Sequence, residues 1–452
     1  MLANINRKES GNFMKFENFD QLQKENIIIK KGLIVNPYSE EILESDVLIL
    51  DGIVKEIKKN IHIEENILIR EINASGLYVC PGFIDMHVHL REPGNNAEED
   101  IRSGLRSALR GGVTSLACMP NTEPVLDSQH LIEFIKLKAK LLDYNILPVA
   151  SITKNLLGEK LSEFGLLLNS GAVAFSDDGK CVQNPKLMYE AMRYAAQFNA
   201  LLILHEEDES FSENGLVNEG YYSAMLGLEG ISNLSEDLIV ARDIMLARAS
   251  GARVHITHVS SAQTVKMIES AKKEGINITC DTTSEHLFFN DSCIKDYDTN
   301  FKIKPPIRCE TDRQAIIEGL RNGTIDAISS DHAPHLTSEK NKSFKEASFG
   351  SIGLETLFKA GLTKLFFEEN FSIDKIISLI SLNPAKILNI EDTLIKTGKI
   401  ANIAIVDIGS ESIYREDDII SRSKNSAFLK QTLKGEIRYT ISNGKVVFIN
   451  DK

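Results

Sequence analysis

Apolar and polar positions follow two different rhythms along this chain. From residue 26, segments such as NIIIKKGLIVNP, DVLILDGIVKEI and NILIREINASGLYV alternate, with Asn, Gly, Pro or Asp between them. That period and those breakers predict short strands and hairpins. The same rhythm returns in NIAIVDI at 402–408 and IRYTISNGKVVFIN at 437–450, where SNGK predicts a tight hairpin turn. Two β-rich ends around a long middle predict one small β-sandwich assembled from residues 26–79 and 396–452. Residues 1–25 read as a flexible N-terminal extension, in which Met14 offers an alternative start.

The middle, 80–395, behaves differently. Compact apolar runs (FIDMHVHL, TSLACMPN, ILPVASIT, AVAFSDDG, ALLILHEED, RVHITHVS, INITCDTT and IDAISSDHAPH) are separated by helical or loop sequence such as NPKLMYEAMRYAAQFN and AQTVKMIESAKKEG. Eight strand-then-helix units predict an α/β chain of the (β/α)8 (TIM) barrel class, with its chemistry at the C-terminal ends of the strands.

Composition narrows the picture only a little. The 452 residues are 42% hydrophobic and 25% charged, which suits a large folded core. A net charge of −13 disfavours nucleic acid or an anionic membrane as the main partner. No apolar run of about 18 residues occurs, so no membrane span is expected. The six cysteines show no CxxC pairing, and the polar N-terminus has no secretory h-region. A cytoplasmic protein with reduced thiols is the expectation.

The strand ends carry the chemistry. His87 and His89 are two apart and so share a face of the first strand. Asp177 and Asp178 close the fourth, His205 the fifth, His258 the sixth and Asp331 the eighth. Four imidazoles and two carboxylates at one mouth would suffer desolvation and repulsion unless cations balanced them. A two-metal centre follows, with His87, His89 and Asp331 on one ion and His205 and His258 on the other. The donor set lacks thiolate and suits zinc, with manganese or iron open. Such a pair makes hydroxide available at neutral pH. His255, three before His258, is expected to face the outer helices as a packing residue, and His332 to point away from the mouth. His62 and His130 are given no role. Arg91 offers a guanidinium fork for a carboxylate, the alternative being a salt bridge to Glu92 or Glu98. Asn121 can orient a polar ligand group. His335 sits on the loop above the metals, where its alternative is a loop-stabilising hydrogen bond. The polar stretch 336–350 reads as a mobile lid.

PGFIDMHVHLREPG at 81–94 and SSDHAPH at 329–335 closely resemble the two signatures of class I dihydroorotases in the amidohydrolase superfamily. RGGVTSLACMPNTEP, AFSDDG, ILHEED, VHITHVSSAQTV, KPPIR and ASFGSIGLET extend the likeness over roughly 30–445. The resemblance implies a binuclear zinc barrel that interconverts N-carbamoyl-L-aspartate and L-dihydroorotate in pyrimidine biosynthesis. It assigns His87 and His89 to one zinc, His205 and His258 to the other, and Asp178 rather than Asp177 to the bridge. Asp331 would bind the first zinc and shuttle the proton. Arg91, Asn121 and His335, with His89 beside them, would hold the substrate carboxylate, and Phe349 and Gly350 would contact the ring. Hydantoinases, dihydropyrimidinases and allantoinases share the barrel but usually bridge their metals with a carboxylated lysine, where this chain has aspartate. The sequence departs from the family at Glu206, at Ser284 and Glu285, and at Lys304, which stands where an asparagine normally lines the substrate site. A homodimer is expected. A non-catalytic partner of aspartate carbamoyltransferase is the reading from a different class, and the retained ligands speak against it.

Overall fold

The computed structural model describes residues 14–16, 25–63 and 68–451. Eight parallel strands form the barrel in chain order: Phe83–Val88, Val113–Cys118, Asn145–Ala150, Ala174–Phe175, Leu201–Leu204, Arg253–Ile256, Ile278–Thr283 and Ala327–Ser329. A bridge between Val88 and His332 closes the ring, with the His89 N–H donating to the His332 carbonyl at 2.9 Å. Six lie within the runs that the sequence singles out, and the other two, from Val113 and Asn145, begin one residue earlier. They are buried on both faces, which is why they read as compact apolar runs rather than clean alternations. Helices between them begin and end on local signals. Asp100 caps Ile101–Arg110 through the Ser103 N–H, Pro185 opens Pro185–Ala196 behind the Asn184 cap, and Leu234–Ser250 ends at Gly251 with φ +69°.

The barrel interior is packed. Ile84, Met86, Ala117, Val149, Ala174, Leu201, Ile203 and Ala327 form one apolar cluster with Ala385, Ile387 and Leu388. The backbone carbonyl of Ile387 meets the Arg253 side chain at the start of the sixth strand, so this cluster plugs the end opposite the polar strand tips. The polar strand tips are thereby gathered at the other mouth.

Both chain ends enter one nine-stranded sheet, largely antiparallel. Ile27, Ile29, Val47, Ile72 and Val79 from one end share a core with Ile403, Ile405, Ile441 and Val446 from the other. The turn at Asn443-Gly444 has φ +49° and +77°, as a two-residue hairpin needs. Part of the expected flexible extension is ordered: Met14–Phe16 pairs antiparallel with Phe448–Asn450. Phe16 packs on the Phe448 ring at 5.2 Å, which gives this short strand an apolar anchor. The remainder of 1–24 lies outside the described residues. Residues 414–431 leave the sheet between its strands Ile403–Ile413 and Thr432–Ser442 and run to the rim of the barrel.

Candidate metal centre and substrate pocket

Asp178 stands at the centre of the polar cluster. Its Oδ1 lies 3.1 Å from His87 Nε2, 3.8 Å from His205 Nδ1 and 3.7 Å from His258 Nε2, and its Oδ2 is 3.4 Å from His89 Nε2. Asp177 faces the other way and accepts from the Thr153 N–H at 2.9 Å and from its hydroxyl. Asp331 Oδ1 meets His89 Nε2 at 3.1 Å and His87 Nε2 at 3.5 Å. Five of the expected residues meet in two overlapping groups, His87, Asp178 and His258, and His87, His89 and Asp331, and His205 joins them through His258 Nε2 at 2.9 Å. Arg91, His258 and Asp331 hold positive φ of 57°, 41° and 42°. Such backbone costs energy in non-glycine residues and persists where surrounding contacts impose it.

Three of the histidines are aimed by a partner on the other nitrogen. His87 Nδ1 bonds Thr257 Oγ1 at 2.8 Å and His89 Nδ1 bonds Asn121 Oδ1 at 2.8 Å, which leaves both Nε2 atoms for the centre. His205 is reversed: its Nε2 bonds Glu207 Oε2 at 3.0 Å, and its Nδ1 faces His258 Nε2 at 2.9 Å. Burial opposes charge on His87, but the Asp178 and Asp331 carboxylates outweigh it and lift the ring to about 10. Asp178 is held well below the ordinary range: burial raises it, and His87, His258 and His89 more than compensate. A cluster in which carboxylates and imidazoles can balance only by taking up protons has the electrostatics of a cation site.

Beneath the mouth, Asp281 Oδ1 accepts the His258 N–H at 2.6 Å, and Asp281 lies 3.3 Å from Thr257 Oγ1. His255 does not face the outer helices as expected. It pairs in register with Ile203, an interior residue, and bonds Thr279 Oγ1 at 2.8 Å and Asp281 Oδ2 at 3.0 Å. The start of the strand sets that parity; the left-handed backbone at His258 then breaks it, so counting back from His258 gives the wrong face. His332 does turn away, toward Glu99 at 3.5 Å. Thr257, Asp281 and Glu207 are functional neighbours that the sequence reading passed over. Thr257 and Glu207 had one signal, a place just past a barrel-strand tip near a candidate ligand; Asp281, inside its strand, had none.

On the rim, Arg91 donates to the Pro334 carbonyl at 3.1 and 3.2 Å, pairs with Glu98 at 2.9 Å, and lies 3.4 Å from His335 Nε2. The ion pair and the clamp position thus coexist. Burial and the adjacent Arg91 and Lys340 cations push His335 down to about 3, so its ring is neutral. Asn121 also points its Nδ2 toward Asp178, at 3.5 Å. Lys304 is not a solvent-facing lysine: its Nζ pairs with Glu207 at 2.6 Å and lies 5.4 Å from the Phe349 ring centroid.

The stretch 336–350 is anchored rather than free. Lys302 Nζ donates to the carbonyls of Phe344, Lys345 and Ala347 at 2.8, 3.0 and 2.6 Å. Lys340 Nζ donates to Ser348 and Gly350 at 2.9 and 3.0 Å. Both lysines are buried, form no carboxylate ion pair among the described residues, and direct most of their donors to one loop. Gly350 has φ +138°, and a Cβ there would come within 2.9 Å of His335 Cδ2, so the two substrate loops touch where only glycine fits. Of the departures, Glu206 turns toward Cys181, Arg242 and Asp243, and burial with the Asp243 charge pushes it well above the usual carboxylate range.

A Dihydro-orotase-like family model matches residues 76–264. The chain is 44% identical over 423 residues to a dihydroorotase of Caldicellulosiruptor saccharolyticus, covering 93% of this chain and 98% of that one. It is 42% identical over 422 residues to a dihydroorotase of Acetivibrio thermocellus, with the same shares covered. Among solved structures it superposes on an L-hydantoinase (dihydropyrimidinase) from Arthrobacter aurescens with TM-score 0.82, 23% identity and 94% and 96% of the two chains covered. A D-hydantoinase structure gives TM-score 0.80 at 21% identity, with 93% and 95% covered. At such identities the solved structures speak for the barrel-plus-sheet fold alone, whereas the sequence relatives are similar over nearly their whole length. On those relatives, and on the aspartate that stands in the midst of the four histidines, this chain belongs to the dihydroorotase family.

Proposed function

We propose that the protein is a cytoplasmic dihydroorotase, which hydrolyses L-dihydroorotate reversibly to N-carbamoyl-L-aspartate at a centre of two zinc ions. The observation that carries the metal reading is His87 Nε2, buried, without a hydrogen-bond partner and aimed between two carboxylates. With nitrogen and oxygen donors only, the set fits zinc. His87 and His89 would hold one ion with Asp331, His205 and His258 the other, and Asp178 would bridge them. The ions would supply Lewis acidity and a water acidified toward neutral pH.

The chain's own groups do the rest. Asp331 accepts a proton from the attacking water at its carboxylate and returns it to the ring nitrogen as the carbonyl carbon–nitrogen bond breaks; synthesis runs the same transfers backwards. Its backbone at φ +42° and the His89 contact fix where that carboxylate stands. Arg91 and neutral His335 face the free carboxylate of the substrate, with the Asn121 amide as a third donor. Phe349 and Gly350 wall the ring. Lys304 joins that wall with its charge already matched by Glu207, so it adds little net positive charge to the pocket.

The test assays dihydroorotate beside hydantoin, dihydrouracil and allantoin, with the metal content of the same protein measured. Preference for dihydroorotate and close to two zinc ions per chain are expected. Preference for another ring would overturn the substrate, and well under one metal per chain would overturn the centre.

A further inference from the structure

We propose that Asn425 is a positioning residue for substrate: its side-chain amide ties the loop carrying His335 to the loop carrying Gly350 and so sets the width of the pocket. The inference rests on the dihydroorotase reading for the identity of the substrate, but not for the geometry.

Asn425 comes from the C-terminal part of the chain, on the excursion 414–431 that leaves the sheet for the barrel rim. That excursion is seated by several contacts. The N–H groups of Ile420 and Ser421 donate to Glu355 Oε1 at 2.8 and 2.9 Å, and Ser423 Oγ donates to the Glu98 carbonyl at 2.6 Å. At its end Asn425, only 4% exposed, accepts the His335 N–H on Oδ1 at 3.0 Å. Its Nδ2 donates to the carbonyls of Ala333 at 3.0 Å and Gly350 at 3.1 Å. Its own carbonyl receives the Ile352 N–H at 2.8 Å.

The task needs one acceptor and two donors in a plane, which is what a primary amide presents. A carboxylate of the same shape would set negative oxygen against two carbonyl oxygens. A smaller side chain would leave buried backbone groups unmatched. What the amide holds is functional on both sides: the His335 ring lies 3.4 Å from Arg91, and the Gly350 loop carries Phe349. Asn425 touches none of the six candidate metal ligands, so its effect should appear in substrate binding and leave the metals in place.

The test compares the full-length zinc-loaded protein with Asn425→Asp and with the milder Asn425→Ser, on whichever cyclic amide the unaltered protein turns over best. The expected result is a KM raised about tenfold, with kcat within about threefold and the metal content unchanged. Asn425→Ser, which keeps one polar contact, should fall between. Should Asn425→Asp fail to fold, Asn425→Ser carries the test by the same criteria. An unchanged KM, a fall in kcat together with lost metal, or failure of both variants to fold would each overturn the proposal, the last by making the residue a scaffold. If the unaltered protein hydrolyses a different ring, the substrate assignment fails while the positioning role is still read from the KM ratio on that ring.

Discussion

A hydrogen bond at one imidazole nitrogen sets the other toward a cation, and here three side chains act in this way while a fourth holds backbone. Thr257 fixes His87, Asn121 fixes His89, Glu207 fixes His205, and Asp281 pins the backbone beneath His258. Thr257→Val keeps the shape and removes the acceptor, so His87 is free to rotate or to change tautomer. We expect metal affinity, measured by competition with a chromophoric chelator, to fall about tenfold or more. Asp331 is a different case, because its carboxylate stands beside the ring nitrogens of His87 and His89 and is proposed to move a proton. In Asp331→Ala, turnover should drop by about a thousandfold while calorimetric binding of dihydroorotate is largely kept. Near-normal turnover would remove Asp331 from that role. Which histidines and aspartates gather at the barrel mouth was readable from their places at strand tips. Which nitrogen each presents was not, because His87 and Thr257 are 170 residues apart and no local pattern links them.

At the scale of elements, the strands were legible and the loops were not. A barrel strand buried on both faces is written as a short apolar run, and turn residues mark its limits, so all eight were found. The segment 336–350 was misread as a lid for an understandable reason: its polar composition is what a free loop would have. Its order comes from Lys302 and Lys340, whose aliphatic stems are buried and whose ammonium groups satisfy five carbonyls of that loop. Lys302→Met retains the stem and loses the donors to three of those carbonyls. Unfolding in urea should show a loss of about 3 kcal/mol, since buried acceptors are left without partners. Limited proteolysis should then cut between residues 341 and 349; an intact loop with unchanged stability would refute the anchoring. The excursion 414–431 is a similar case, a stretch whose polar residues are legible only once the barrel rim they bond is in place.

For the whole molecule, a net charge of −13 says little about the pocket, where Arg91 and the carboxylates and imidazoles of the mouth set the local field. It does bear on how stability responds to pH, through individual buried acids. Glu285, one of the departures from the family, is 2% exposed, and burial pushes its carboxyl up to about 8 from an ordinary 4.5. Between those values the folded chain keeps a proton that the unfolded chain has released. Folding stability from this group is therefore full below pH 4.5 and declines as pH rises toward 8, by about 1.4 kcal/mol per unit. Glu285→Gln removes the titration. Its thermal midpoint should gain on that of the unaltered protein as pH rises from 5 to 8, and parallel curves would place Glu285 in a more polar setting than its burial indicates. Among the described residues no helix is long and apolar enough to cross a membrane, in keeping with the absence of a long apolar run in the sequence.

The amino-acid order alone determined the barrel, the sheet built from both ends and the residues that gather at the mouth. Those follow from hydrophobic period, turn chemistry and the rule that parallel strands present their C-terminal tips together, all of which act over a few residues or through chain order. Only the tertiary structure decided that His255 faces inward, that Lys304 is neutralised by Glu207, and that Asn425 reaches the pocket from the far end of the chain. Each of these is a hydrogen bond or ion pair whose energy depends on ångström-scale approach between distant segments, and sequence spacing carries no record of such distances.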